Sequence, residues 1–406
     1  MFKFATFYYA LIVLFFAIAM ILFPDQTYEA SIRGLTLWTE IVFPSLLPFF
    51  IIAELLLAFG VVRLIGILLE PLMRPLFNLP GAGGVAIAMG LVSGYPSGAK
   101  IATRLYEEKA ISTIEAERLI AFTNASNPLF IFGAVAVGFF HNPTLGWLIA
   151  ISHYGASLLV GVCMRFYLRH SDTKSEKSNQ QSSSTLGEKI KHMLSTPQPQ
   201  QQKPLGQHLG DAVYSSVKTL VMIGGFIILF SVINKLLFLS GVSEWLSSIL
   251  EKGLEFISQP GELALPIISG LFEITLGAQM VAQTDEATLF VQVIFVSLLL
   301  AFNGLSIHSQ VASIIANTEI RYKPYLIGRL LHMVWAVILV LLLYQPIYLD
   351  RQTSNPQDVP VDTSKTANHW VINLLNDIQT FGPLVTSLAI LVTVWLMIKN
   401  MTQRTT

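Results

Sequence analysis

The sequence predicts an all-α polytopic membrane protein with about eight transmembrane helices and two re-entrant helical hairpins, arranged as two inverted repeats. Three observations lead there. The 406 residues are 53% hydrophobic and only 12% charged, with mean hydropathy +0.61, whereas soluble domains carry about 25% charged residues. A Gly-Ala-polar triplet followed by an asparagine 26 residues later occurs twice, as Gly98-Ala99-Lys100 with Asn124 and as Gly277-Ala278-Gln279 with Asn303. Lys and Arg crowd some connections and avoid others, which orients a chain in a bilayer.

Apolar runs at 4–23, 41–59, 119–140, 144–165, 212–239, 288–314, 325–347 and 383–399 read as spans, a straight crossing taking about 20 helical residues. The first follows Lys3 and contains Ala17-Ile18-Ala19, as a signal peptide would. Its apolar character continues through Met20-Ile21-Leu22-Phe23, so it reads as a retained anchor. Two further stretches, 81–99 and 262–281, are interrupted by Gly, Pro and polar residues. The chain divides into an anchor and connection (1–40), a first membrane repeat (41–166), a polar cytoplasmic linker (167–209), a second membrane repeat (210–348), and a polar loop with a C-terminal transmembrane helix (349–406). The linker is rich in Ser and Gln and lacks the apolar residues needed to build a core.

Arg169, Lys174, Lys177, Lys189, Lys191 and Lys203 place the linker in the cytoplasm, and Lys399 and Arg404 place the C-terminal tail on the same side. Arg63 and Arg74 of the amphipathic stretch 61–77, with Lys100, Arg104, Lys109 and Arg118, belong there too. Between about 244 and 286, Glu244, Glu251, Glu255, Glu262, Asp285 and Glu286 outnumber Lys252, as in an external region. These assignments agree only if 81–99 and 262–281 each enter and leave on one side, from opposite faces. Each half then crosses an odd number of times, and consecutive copies are inverted. Non-helical backbone at that depth needs protein or a wet cavity around it, so the tips imply a polar centre.

The first tip reads Ser93-Gly94-Tyr95-Pro96-Ser97-Gly98-Ala99-Lys100. Gly and Pro break the helix there, and free amides at a restart after Pro96 would favour an anion. Lys100 either adds a positive charge to that site or snorkels to the interface. Asn124, Ser126 and Asn127 before Pro128 are costly in hydrocarbon without partners; they line the site or bond neighbouring helices. Asn303 and Ser306 stand at the matching place of the second copy, one turn apart. Glu273 and Thr275 lie on the second hairpin, and Gln279 occupies the place that Lys100 has in the first. An acid there is either a proton carrier or cation ligand, or a hydrated residue at the hairpin mouth. Glu54, midway along an apolar run, invites a cationic partner elsewhere in the bundle.

Zero formal net charge suggests no nucleic-acid partner, and a single cysteine, Cys163, excludes an intrachain disulfide. His153, His308 and His332 lack metal-ligand spacing and read as hydrogen-bonded bundle histidines. Neither nucleophile-elbow, HExxH nor Walker-type motifs occur, so the sequence predicts neither an enzyme nor a cofactor or metal site.

Val42-Phe43-Pro44-Ser45-Leu46-Leu47-Pro48-Phe49-Phe50, the Ser93–Lys100 turn, Phe122-Thr123-Asn124-Ala125-Ser126-Asn127-Pro128 and the residues through Phe140 resemble the YlbJ-type sporulation integral membrane proteins. Gly225–Val232 and Phe272-Glu273-Ile274-Thr275-Leu276-Gly277 extend the resemblance, which runs from about residue 30 to 345. That resemblance implies a gate, or nucleoside-recognition, type of membrane domain from endospore formers. It further implies a transporter that moves dipicolinic acid, with or without calcium, from the mother cell across the outer forespore membrane during spore maturation. Dipicolinate is a planar dianion, which helix N-termini, Ser hydroxyls, Asn amides and Lys100 would suit. A nucleoside or metal-ion transporter of the same architecture and a non-transporting sporulation assembly factor are the alternatives.

Overall fold

Proline and glycine mark several of the helix breaks among the described residues. The computed structural model describes residues 2–59, 61–168 and 204–350, and these contain helices and turns but no strand. Helix α1 (Phe2–Leu22) ends at Phe23, and α2 (Pro24–Leu37) restarts with proline at its first position, where the missing N–H has no intrahelical role. The axes of this pair bend by 105°. Helix α2, which hydropathy leaves as a connection, docks on a helix about 200 residues later, described below.

Helix α3 (Phe43–Ala58) carries Pro48 inside it, and the amphipathic α4 (Val61–Phe77) ends with Arg74 in its last turn. Glu70 accepts from Arg74 Nε at 2.7 Å and from the Gly81 amide, which fixes the turn into the next element. The 81–99 stretch then forms a hairpin of α5 (Gly83–Ser93) and α6 (Ser97–Glu107), joined by Gly94-Tyr95-Pro96. Gly94 takes φ 81°, a conformation that only glycine enters at little cost. Gly90 and Gly98 face each other, and a Cβ on either would collide with the Thr123 carbonyl oxygen.

Helix α7 (Thr113–Phe122) starts with a capping box between Ser112 and Glu115. It stops where the polar residues begin, and the chain resumes as a π-helical segment, Phe130–Phe139. The following helix α8 (Leu145–Met164) is long and apolar enough to cross a membrane.

The second half repeats this order of elements. Helix α9 (Leu205–Leu239) is a long span. It receives α2 closely: Ser231 Oγ donates to Ala30 O at 2.8 Å and Trp38 Nε1 donates to Leu220 O at 2.9 Å. After α10 (Val242–Phe256), the 262–281 stretch forms a second hairpin of α11 (Ala264–Phe272) and α12 (Ile274–Ala282), with Glu273 between them. Gly270 and Gly277 lie back to back in it. Helix α13 (Leu289–Phe302) ends at Asn303 and α14 (Gly304–Ile315) begins at once, the two break residues adopting φ 79° and 66°. Asparagine is among the few non-glycine residues that tolerate this region. Helix α15 (Tyr322–Leu343) closes the half and packs on α8, with Ala156, Ala301 and Ala336 at the contact.

Among the described residues, fewer segments are long and apolar enough to cross a membrane than the apolar runs there suggest. Four segments, Leu145–Met164, Leu205–Leu239, Leu289–Ile315 and Tyr322–Leu349, pass on length and composition, and the bent pair Phe7–Leu22 with Pro24–Glu40 makes a fifth if taken as one. The 41–59 run yields a helix of 16 residues, and 119–140 is divided by its break. The 383–399 run and nearly all of the linker lie outside the described residues.

Close glycine contacts give a direct check. Gly98→Ala and Gly277→Ala place a methyl into the Thr123 carbonyl and the Gly270 backbone, and each is expected to cost about 1–3 kcal/mol. Gly225→Ala, which meets nothing within 4 Å, should leave the unfolding midpoint unchanged or slightly raised. Thermal unfolding of the detergent-solubilised variants reads the difference.

Candidate functional site: a polar centre between the two halves

A helix that breaks inside an apolar bundle leaves backbone carbonyls and amides without partners, and each must find one. Here the breaks of both halves meet. Asn303 Nδ2 donates to the Asn124 carbonyl at 3.2 Å, and the Asn124 and Asn303 amides both donate to the Tyr325 hydroxyl, at 3.3 and 3.4 Å. All three residues are fully buried. The two asparagines that share the repeated spacing thus converge on one phenol. Their side-chain oxygens, Asn124 Oδ1 and Asn303 Oδ1, have no partner.

Arg329, also fully buried, secures the carbonyl ends. Its Nη2 donates to Ala121 O at 2.7 Å, and its Nη1 to Asn124 O at 2.7 Å and Ala301 O at 3.5 Å. One guanidinium therefore binds the C-terminal ends of α7 and α13. Gly328 makes this possible, because a Cβ there would run into the Ala121 carbonyl. His332, one turn on, sits 3.0 Å from Arg329 Nη1, and its Nε2 bonds His153 O at 2.9 Å.

The other first-half residues pack around this centre. Ser126 uses every polar group it has: its amide donates to His153 Nε2 at 2.9 Å, its Oγ to Tyr95 at 3.0 Å, and its carbonyl accepts from Tyr154 at 2.9 Å. Asn127 Oδ1 accepts from the Phe130 amide at 2.7 Å, capping the restart, while its Nδ2 reaches Ser93 O at 3.5 Å. Ser97 Oγ donates to Gly94 O, closing the first tip, and Gly94 lies against Asn127. Pro96 follows a cis Tyr95–Pro96 bond, and Ser93 Oγ is buried without a partner.

In the second half, Ser306 is buried and accepts from Gln310 at 3.4 Å. Gly304 lies against the tip of the second hairpin, near Gly270 O and the Ile274 amide. Glu273 takes a structural position: its carboxylate caps α12, accepting from the Thr275 amide at 3.1 Å and the Leu276 amide at 2.9 Å. Thr275 is half-buried. Gln279 is exposed, so it does not join the centre. His308 bonds Tyr322 at 2.5 Å and Phe302 O at 2.8 Å.

Lys100 stands apart from the asparagine pair. Its Nζ forms an ion pair with Glu54 Oε1 at 3.3 Å and lies 4.5 Å over the Phe50 ring, while Ser215 donates to the same carboxylate at 2.8 Å. The cation that Glu54 invites is therefore Lys100, joining α3, α6 and α9. The positive charge found beside the two asparagines is Arg329, which the sequence reading passed over. Tyr325, Arg329 and His332, spaced 4 and 3 residues apart, put three polar side chains on one helical face, and an ionisable residue in an apolar run is the signal that marks it.

A second polar cluster ties the halves near the ends of these helices. Glu117, fully buried, accepts from Arg321 Nε at 2.7 Å, from Arg321 Nη2 and the Arg321 amide at 3.0 Å, and from Tyr167 at 3.1 Å. The direct bond from Glu117 holds the Arg321 guanidinium above its ordinary pKa. Beside it, buried Arg118 donates to Tyr167 O and to Asn78 O at 3.1 Å.

Paired helical hairpins, two broken spans and a shared buried polar centre define a membrane protein of the gate type. The chain belongs to the family described as Gate, nucleoside recognition, whose model matches residues 40–143 and 220–320. It is similar to a sporulation integral membrane protein, YlbJ, of Bacillus subtilis (strain 168), with 46% identity over 377 residues, 93% of this chain and 92% of that protein. No solved structure matches it significantly. The two matched segments enclose both hairpins and both breaks.

The Lys100–Glu54 pair is open to a double-mutant cycle. Their side chains are only 14% and 12% exposed, so Glu54→Gln alone strands a buried ammonium and should cost about 2 kcal/mol or more. The double variant Glu54→Gln/Lys100→Met should recover most of that loss. A loss in the double variant equal to the sum of the separate Glu54→Gln and Lys100→Met losses would show that the pair contributes nothing to stability.

Proposed function

We propose that this protein is a membrane carrier that moves dipicolinic acid from the mother cell across the outer forespore membrane during sporulation. The observation that carries the reading is the convergence of Asn124 and Asn303, at equivalent places of the two halves, on Tyr325, with both side-chain oxygens left unpartnered. Buried acceptor oxygens without partners are rare in folded proteins, and these two can be completed only by a donor that the solute carries, a protonated carboxyl of dipicolinic acid or a hydroxyl or amino group of a nucleoside.

In the proposed mechanism the two halves are inverted copies, and their hairpins enter from opposite faces. Access alternates as one tip and then the other parts from its broken span, the solute being held at mid-membrane. Ser93, Asn124, Asn303 and Ser306 contact the solute. Gly94 and Gly98 hold the tip close to its broken span, and Glu273 keeps the second tip folded. No catalytic step and no cofactor enter this scheme. The similarity to a sporulation protein of Bacillus subtilis supports the setting. The description of the matched family favours one competing cargo, a nucleoside, whose ribose and base would engage the same amides.

Uptake of labelled dipicolinate into proteoliposomes containing only this chain tests the reading, with uridine as the competing cargo. Saturable dipicolinate uptake is expected, falling at least about tenfold in Asn124→Ala and Asn303→Ala, each of which removes a buried acceptor and a bond to the Tyr325 hydroxyl. Uptake of uridine alone would transfer the assignment to nucleosides. Correctly inserted protein that moves neither would leave no carrier, and the assembly-factor alternative would stand.

A further inference from the structure

The centre holds a full positive charge with no carboxylate opposite it. Arg329 is 0% exposed, and among the described residues no Asp or Glu forms an ion pair with it. Its partners are three backbone carbonyls and His332, and its Nε has none. An arginine side chain remains protonated in such surroundings. The carbonyl ends of α7 and α13 offset part of the charge. In each broken span, however, the negative end of one half-helix faces the positive start of the next segment, so those partial charges oppose one another. The guanidinium's unit charge is left without an equal.

Its position relative to the asparagine pair is fixed. Arg329 lies one helical turn from Tyr325, its guanidinium carbon 5.6 Å from the ring centroid. The hydroxyl of that ring holds both amides. The guanidinium also bonds the Asn124 carbonyl directly, at 2.7 Å, so the cation and the asparagine pair belong to one cluster. Lys100, the alternative source of positive charge, is already engaged by Glu54. Within a bundle of low dielectric a unit charge acts over several ångströms on whatever enters.

We infer that Arg329 is a positioning and specificity-determining residue, whose charge makes the centre prefer a carboxylate-bearing solute to a neutral one of the same shape. The inference rests on the carrier reading above and names what that site selects. Arg329 acts from behind Tyr325 and the two amides, without contact with the solute. The two broken spans anchor the guanidinium, so the charge stays at the meeting point of the halves.

The test compares initial uptake of labelled dipicolinate with that of its neutral diamide in proteoliposomes of wild type, Arg329→Gln and Arg329→Lys. The wild type should favour dipicolinate. In Arg329→Gln the ratio of the two rates should fall by at least about tenfold, the effect of one unit charge on a single carboxylate roughly 10 Å away at an effective dielectric near 20, and by more if both carboxylates are ionised. Arg329→Lys should restore most of the preference. Should Arg329→Gln fail to insert, the ratios of wild type and Arg329→Lys decide: preference for dipicolinate in both supports the inference, and its absence from either overturns it. Wild-type flux with an unchanged ratio in Arg329→Gln overturns this inference alone and leaves Arg329 a structural clasp. Wild-type vesicles that move neither probe overturn the carrier reading along with it.

Discussion

The arrangement depends on one constraint: backbone that stops being helical inside an apolar bundle must be paired by something the bundle itself provides. Here the provider is α15. It approaches α7 closely at Gly328 and delivers the Arg329 guanidinium to carbonyls from both broken spans. An arginine can do this with one side chain because its donors fan out in a rigid plane. Lysine would offer a single point charge and reach fewer of them. The two halves are joined at their least regular places, so neither break is satisfied by its own half alone.

Around that joint, packing is set by small residues. Gly90 and Gly98 admit the Thr123 carbonyl between the arms of the first hairpin, and Gly270 and Gly277 bring the second pair of arms together. Close approach of this kind is how membrane helices gain contact energy where no water drives them together. Each hairpin is thereby fitted to the broken span of its own half, through Gly94 with Asn127 in one case and Gly304 with the second tip in the other.

Much of this was legible in the sequence. The Ser93–Lys100 turn and the 262–281 stretch advertised hairpins through glycine, proline and polar residues, and both fold back as such. The spacing from Gly98 to Asn124 and from Gly277 to Asn303 singled out the two asparagines that meet. What composition could not convey was direction. Lys100 and Glu54 are both visible as charges in apolar surroundings, but only the fold shows that they face one another. Glu273 reads either as a proton carrier or cation ligand or as a hydrated residue at the hairpin mouth, and only the fold shows its carboxylate against two backbone amides of the next helix. Gln279 shares a register with Lys100, yet it is exposed where Lys100 is largely buried. Arg329 sits near the start of a long apolar run and drew no reading; its partners Ala121 and Asn124 are more than 200 residues away in the chain. Hydropathy also passed over α2, since a helix that packs on one face has no continuous apolar run.

The docking of α2 on α9 bears on how the chain can be made. Ala30 and Trp38 emerge from the ribosome early, yet the serine and the carbonyl they bind, at Ser231 and Leu220, follow only after the whole first half and the linker. During synthesis the N-terminal elbow must wait in the insertion machinery or the lipid with its bonds unmade. A fragment ending in the linker would leave that elbow undocked and the Ala121 and Asn124 carbonyls without the donors that Arg329 and Asn303 bring, so the first half is no self-sufficient unit.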